Sequence, residues 1–164
     1  MITNLTDFLK KQEWVYSPGN REGIFLFSLS GYNGIYHCLA DILEDVQRFL
    51  FISFMGTRCP SEKRKEMAEL LTIINSNLSY GNFEMNFPTG DIKFRTGILY
   101  EGIEVTEKVI ANTIFQNINS LDVSSPLLSK FMFGDISIPE VYEGLYNPKS
   151  LPEPTETNQE PESQ

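Results

Sequence analysis

The chain is short of the residues that most site chemistry uses. Its 164 residues include one histidine and two cysteines, Cys38 and Cys59. Two cysteines with no Cys-x-x-Cys spacing exclude a disulfide framework and a dithiol redox motif. No apolar run approaches the ~18 residues of a membrane-spanning helix. The first residues lack a basic segment followed by an apolar one, so no secretory leader is expected. Positive charge is also scarce. Thirteen Lys and Arg against 22 Asp and Glu set the net charge at −9. Such a balance is repelled by phosphates, which argues against nucleic acid or an anionic membrane as partner. The expectation is a cytoplasmic protein with no nucleic acid, membrane or metal among its partners, and no cofactor.

Packing material is plentiful. Hydrophobic residues make up 41% of the chain, and 12 are phenylalanine, enough for one domain with a real core. Residues 1–146 read as that single domain. Residues 147–164 are rich in Pro, Glu and Thr, with four Glu and one Lys. They hold too few apolar side chains to offset the entropy of ordering, so a disordered acidic tail is expected.

The periodicity predicts an order of elements. A short first helix runs to about Glu13, with Leu5, Phe8 and Leu9 as its stripe, and Ser17–Pro18–Gly19–Asn20 is a turn. Three strands follow: Ile24–Ser30, Ile35–Leu43 and Arg48–Met55. Asn33-Gly34 joins the first two, since both residues tolerate positive φ. A helix opening near Pro60 carries Met67, Leu70, Leu71, Ile74 and Leu78 at 3.6-residue spacing. Next comes a hairpin turning at Pro88–Asp91. In it Phe83, Met85 and Phe87 alternate with polar neighbours, as do Ile92, Phe94, Thr96 and Ile98. Thr106 caps a second long helix that Pro126 should interrupt, and Ser137–Glu140 opens a last turn. The result is an α-β-β-β-α-β-β-α domain, a two-layer α+β fold with helices on an antiparallel sheet.

The stretch Glu62–Leu99 resembles the YbjN family, carried by Asn75, Leu78, Gly81, Phe83 and the run Ile92-Lys93-Phe94-Arg95. The likeness continues through Leu121–Asp122 and Gly134…Pro139-Glu140. The resemblance implies a type III secretion chaperone-like fold, a cyanobacterial type of member, and a regulatory or chaperone-like role in protein binding. It brings no catalytic motif.

Reactive groups do not assemble in the sequence. His37 and Asp41 share a strand face, but two ligands fall short of a zinc site. Cys59 at a helix start lacks a neighbouring base. Asp41, Glu44 and Asp45 read as a solvated acidic turn. Gly31–Gly34 lacks the lysine of a phosphate loop. Arg58, Lys63 and Arg64 form the one basic concentration, a candidate contact for an anion or an acidic partner. The first and third strands are the anomaly. Ile24–Phe27 and Phe49–Met55 are apolar on both faces, whereas a sheet with one wet face should alternate. Something covers part of the second face: the domain's own helices, a partner protein, a second copy in a homodimer, or an apolar ligand. Phe25, Phe27, Phe49, Phe51 and Ser53 are the candidate protein-binding residues. The expected function is a non-enzymatic protein-binding module, chaperone-like or regulatory. The alternative is a small-ligand or enzymatic domain whose cleft forms only in three dimensions.

Overall fold

The computed structural model describes residues 1–134 and 136–146. The acidic tail expected over 147–164 lies outside the described residues. Ten elements follow one another: α1 (Ile2–Lys11), β1 (Ser17–Pro18), β2 (Ile24–Ser30), β3 (Ile35–Leu43), β4 (Arg48–Arg58), α2 (Arg64–Ser76), β5 (Asn82–Met85), β6 (Asp91–Leu99), α3 (Glu107–Phe133) and α4 (Ile138–Tyr146). The strands form one antiparallel sheet in the order β1-β2-β3-β4-β6-β5. The α+β class, with helices on an antiparallel sheet, is as expected.

Local signals placed most elements. The Asn33-Gly34 turn closes with Gly31 N–H donating to Gly34 O at 2.8 Å. Thr106 caps α3, its hydroxyl accepting from Val109 N–H at 3.4 Å. The Pro88–Asp91 turn needs Gly90, whose φ of +80° is left-handed and whose added Cβ would sit 2.2 Å from Cys59 O.

Two readings are corrected. Ser17–Pro18 is not part of a turn but a two-residue edge strand, paired with Leu26 and Phe25. Proline is tolerated there because an edge strand needs no outward donor. Pro126 does not interrupt the second long helix, which runs unbroken from Glu107 to Phe133. A proline inside a helix orphans the carbonyl four residues back, here that of Asp122. That oxygen instead accepts from Asn33 Nδ2 and Ser125 Oγ, each at 3.0 Å.

The core lies between the sheet and its helices. Every buried strand residue points to one face: Phe25, Phe27 and Leu29 on β2, Tyr36, Cys38, Ala40 and Ile42 on β3, Phe49, Phe51 and Ser53 on β4, Phe83 on β5, and Ile92, Phe94 and Thr96 on β6. Ile110, Ile114, Leu121, Leu128 and Phe131 of α3 fill the layer above, with α2 beside β5 and α1 against α3.

Two buried polar side chains of α3 set its position on the sheet. Asn117 donates to Phe51 O (3.0 Å), Phe94 O (3.1 Å) and Thr96 Oγ1 (3.1 Å), and accepts from the Ser53 hydroxyl. Asp122 braces the β2–β3 turn. Its carboxylate accepts from Tyr32 N–H (2.9 Å), Asn33 N–H (2.8 Å) and Tyr36 Oη–H (2.8 Å). Burial pushes this carboxyl up, and the hydrogen bonds from Asn33, Tyr36 and Tyr32 outweigh it and hold it below the usual aspartate range. Tyr36 is itself pushed up to about 12, chiefly by burial. A carboxyl depressed on folding contributes stability that is present above its unfolded value, about 3.9, and lost as pH falls through the folded one. Urea midpoints of the wild type should therefore drop below about pH 4 more steeply than those of Asp122→Asn. Equal slopes would show that this carboxylate is not linked to folding.

The two sheet edges differ. Beyond β5, the Asn75 amide occupies the place of a further strand: Oδ1 accepts from Phe83 N–H at 2.7 Å and Nδ2 donates to Phe83 O at 3.0 Å. A side chain that satisfies an edge backbone blunts strand addition there. On the other side β1 covers only Phe25 and Leu26 of the seven-residue β2.

Candidate protein-binding face

The strand residues of opposite parity form a second face that no helix buries. Register lines them into rows across the sheet. Leu26, Leu39, Ile52 and Arg95 make one row, with Asn82 beyond; Ser28, His37, Phe54, Lys93 and Glu84 make the next; Ile24, Asp41, Leu50 and Gly97 make a third. None of these residues is buried, and Leu26 is 42% exposed. The β2–β4 part of the face is thus an apolar belt of Ile24, Leu26, Leu39, Leu50, Ile52 and Phe54.

Two hollows lie along this belt. The first, of about 770 Å³, wraps the β2 edge, lined by Trp14, Val15 and Ser17 together with Leu26, Leu39, His37 and Phe54 of the open face and Phe27 and Cys38 of the covered one. Trp14 is held by edge contacts to Phe8 (5.7 Å) and Phe115 (5.8 Å). The second, of about 310 Å³, lies at the far corner among Arg48, Leu50, Tyr80 and Arg95. Tyr80 walls it, its hydroxyl donating to Gly97 O at 3.2 Å.

Ion pairs flank the apolar belt. Asp41 sits between Arg21 and Arg48, the latter at 3.4 Å. Glu84 sits between Arg95 and Lys93, the latter at 3.0 Å. Burial raises the Glu84 carboxyl, and hydrogen bonds from Lys93 and Asn82 with the nearby Lys93 and Arg95 charges bring it below the usual range.

The residues singled out from sequence fall elsewhere. Phe25, Phe27, Phe49, Phe51 and Ser53 all lie on the helix-covered face. Phe27 and Phe51 pack ring to ring at 5.8 Å, and Ser53 bonds Asn117. They are core, so the candidate surface moves by one residue along each strand. Both parities of β2 and β4 are apolar, and that removed the signal that distinguishes a covered face from an open one. The basic group is occupied locally. Arg58 pairs with Asp91 at 2.6 Å, and Lys63 with Glu66 at 3.0 Å. Arg64 donates to the Cys59, Phe87 and Pro88 carbonyls. Arg64 fastens the start of α2 to the β5–β6 turn, and Arg58 ties the end of β4 to Asp91 at the start of β6.

The potentially reactive groups stay apart. His37 Nδ1 meets Ser28 Oγ at 3.0 Å on the open face. Glu44 pairs with the N-terminal ammonium at 3.2 Å. Cys59 is buried where its backbone N–H meets Gly90 O at 2.9 Å. Burial pushes the Cys38 thiol up to about 12 and the Cys59 thiol up as well, which favours the unreactive protonated form. Among the described residues, no three His, Cys, Asp or Glu side chains converge as a metal site would require, and no helix is long and apolar enough to cross a membrane.

The fold and its open face define a class: an α+β domain with a helix-covered sheet of the type III secretion chaperone-like kind. The chain belongs to the YbjN family. The family model, described as "putative bacterial sensory transduction regulator", matches residues 2–122. Among solved structures it is similar to YbjN of E. coli, "a putative transcription regulator", with TM-score 0.57 and 13% identity over 79% of this chain and 90% of that one. It is also similar to a chain of the ExsC–ExsE complex, with TM-score 0.51 and 14% identity over 77% of this chain and 92% of that one. No match was found among curated protein sequences.

Proposed function

We propose that this chain is a non-enzymatic protein-binding module, chaperone-like or regulatory, that holds a segment of another protein on the open face of its sheet. The observation that carries this reading is the uncovered apolar belt on β2–β4, beside a sheet whose other face is fully packed. Isolated apolar residues on a surface need no explanation, but a contiguous apolar strip rimmed by charge is typical of an interaction site. The family description as a regulator and the likeness to a chain solved in a complex point the same way. In this reading the protein works in the cytoplasm. A second copy of the chain is the competing occupant of the face, and a mass that stays at 18.7 kDa across concentrations would exclude it.

Photo-crosslinking in the native cell tests the reading. A benzoylphenylalanine at Leu26 or Phe54 should capture a discrete protein, whereas the same group at exposed Lys65 on α2 should not. Equal capture at all three sites, or none at the open face, would overturn it.

A further inference from the structure

The charge of the open face runs against that of the molecule. The chain carries −9 overall. Yet four cations, Arg21, Arg48, Lys93 and Arg95, stand around two carboxylates, Asp41 and Glu84, on this one face. The excess positive charge is not spread evenly. The first hollow is lined by apolar side chains and by Glu13, with His37 and Ser28 already bonded to each other. The second is lined by Arg48 and Arg95, with no carboxylate among its lining residues. Arg48 has spare donor capacity: its side chain is 33% exposed, and its contact with Asp41 is a long one at 3.4 Å. The exposed part of the guanidinium can therefore donate to an incoming carboxylate, a charge-assisted hydrogen bond.

Taking the open face as the binding surface, we infer that its occupant is an acidic–apolar segment of a partner protein, seated with an apolar anchor in the first hollow and a carboxylate on Arg48 and Arg95 at the second. The spacing is set by the sheet. From β2 to β6 the row Leu26–Leu39–Ile52–Arg95 crosses three strand gaps of about 4.8 Å, the length of roughly four extended residues. The anchor and the carboxylate of the segment are therefore about four residues apart. Glu13 beside the first hollow repels the reverse orientation.

A random dodecapeptide library displayed on phage and selected on the full chain tests this, with binding sites mapped by backbone amide shifts. The expected binders pair Phe or Leu with Asp or Glu about four residues away and shift the amides of β2–β4 and β6. Their affinity should fall roughly tenfold in Arg48→Gln/Arg95→Gln, and also in the wild type as salt rises from about 0.05 to 0.5 M. The salt series keeps the test independent of whether the double variant folds. Peptides that bind the open face with no acidic bias and no salt dependence would overturn the acidic occupant while leaving the binding face standing. Selected peptides that shift only other surfaces would overturn both. A concentration-dependent dimer that protects the face would replace the partner with a second copy. Open-face amides that move when Glu153, Glu156, Glu160 and Glu162 are changed to Gln would replace it with the chain's own acidic segment.

Discussion

Phe51→Asp is expected to abolish the folded state, while Phe54→Asp, three residues along the same strand, leaves it intact. Phe51 is 0% exposed, packed against Phe27 beneath α3. A carboxylate there has no cation among its neighbours on the covered face. Losing the Phe51 ring costs about 3–5 kcal/mol, and burying a carboxyl, charged or forced neutral, adds several more, which together match the roughly 5–15 kcal/mol by which domains are stable. Phe54 points the other way, in the row with His37 and Lys93. A carboxylate there meets water and a lysine, and the loss is partial apolar burial, about 1 kcal/mol. Circular dichroism melts separate the cases. Phe51→Asp should show no cooperative transition, and Phe54→Asp a transition within about 4 °C of the wild type. The reverse pattern would mean that the covered and open faces have been exchanged. The same pair bears on function, because Phe54→Asp should weaken partner capture in a protein that still folds.

Asn117→Ala is expected to cost about 3 kcal/mol in urea unfolding. Asn117 is fully buried under the centre of the sheet. Its amide ties α3 to β4 and β6 together through Phe51 O, Phe94 O and Thr96 Oγ1, and its oxygen takes the Ser53 hydroxyl. Truncation leaves a cavity and strands the Ser53 hydroxyl without a partner. Ser53→Ala strands the Asn117 oxygen in turn. The double variant removes both halves of that bond, so its cost should fall short of the sum of the single costs by about 1 kcal/mol. A cost below about 1 kcal/mol for Asn117→Ala would show that water replaces the network and that α3 is held by its apolar stripe alone.

Much of the fold was legible because its signals are local. Apolar runs bounded by turn residues located Ile24–Ser30 and Ile35–Leu43 with the bounds observed, and Asn33-Gly34 joined them. Thr106 marked the start of α3. The failures have a common cause in contacts distant in sequence. Pro126 reads as a break because the proline rule is local. Asn33, on a turn 89 positions before Asp122, donates to the orphaned Asp122 carbonyl. Ser17–Pro18 reads as a turn because only Phe25 and Leu26 make it a strand. Asn117 looked like an ordinary polar position on a helix, and nothing in its neighbours announced that four groups would converge on it.

The candidate site shows the same division. Composition and the missing reactive sets pointed away from enzymatic chemistry, and the doubly apolar strands marked Ile24–Met55 as the place to look. Which parity to choose was undetermined. Alternation assigns a face only when one parity is polar, and on β2 and β4 both are apolar. The sequence alone determined the elements, the class of fold, the family likeness and the strands that matter. Tertiary structure decided which side of those strands is core, because the helices that cover one face come from α1 and from segments that follow the first four strands. By burying Phe51 they left Phe54 and Ile52 open, and they brought Arg48 and Arg95 to one corner from strands separated by α2 and β5.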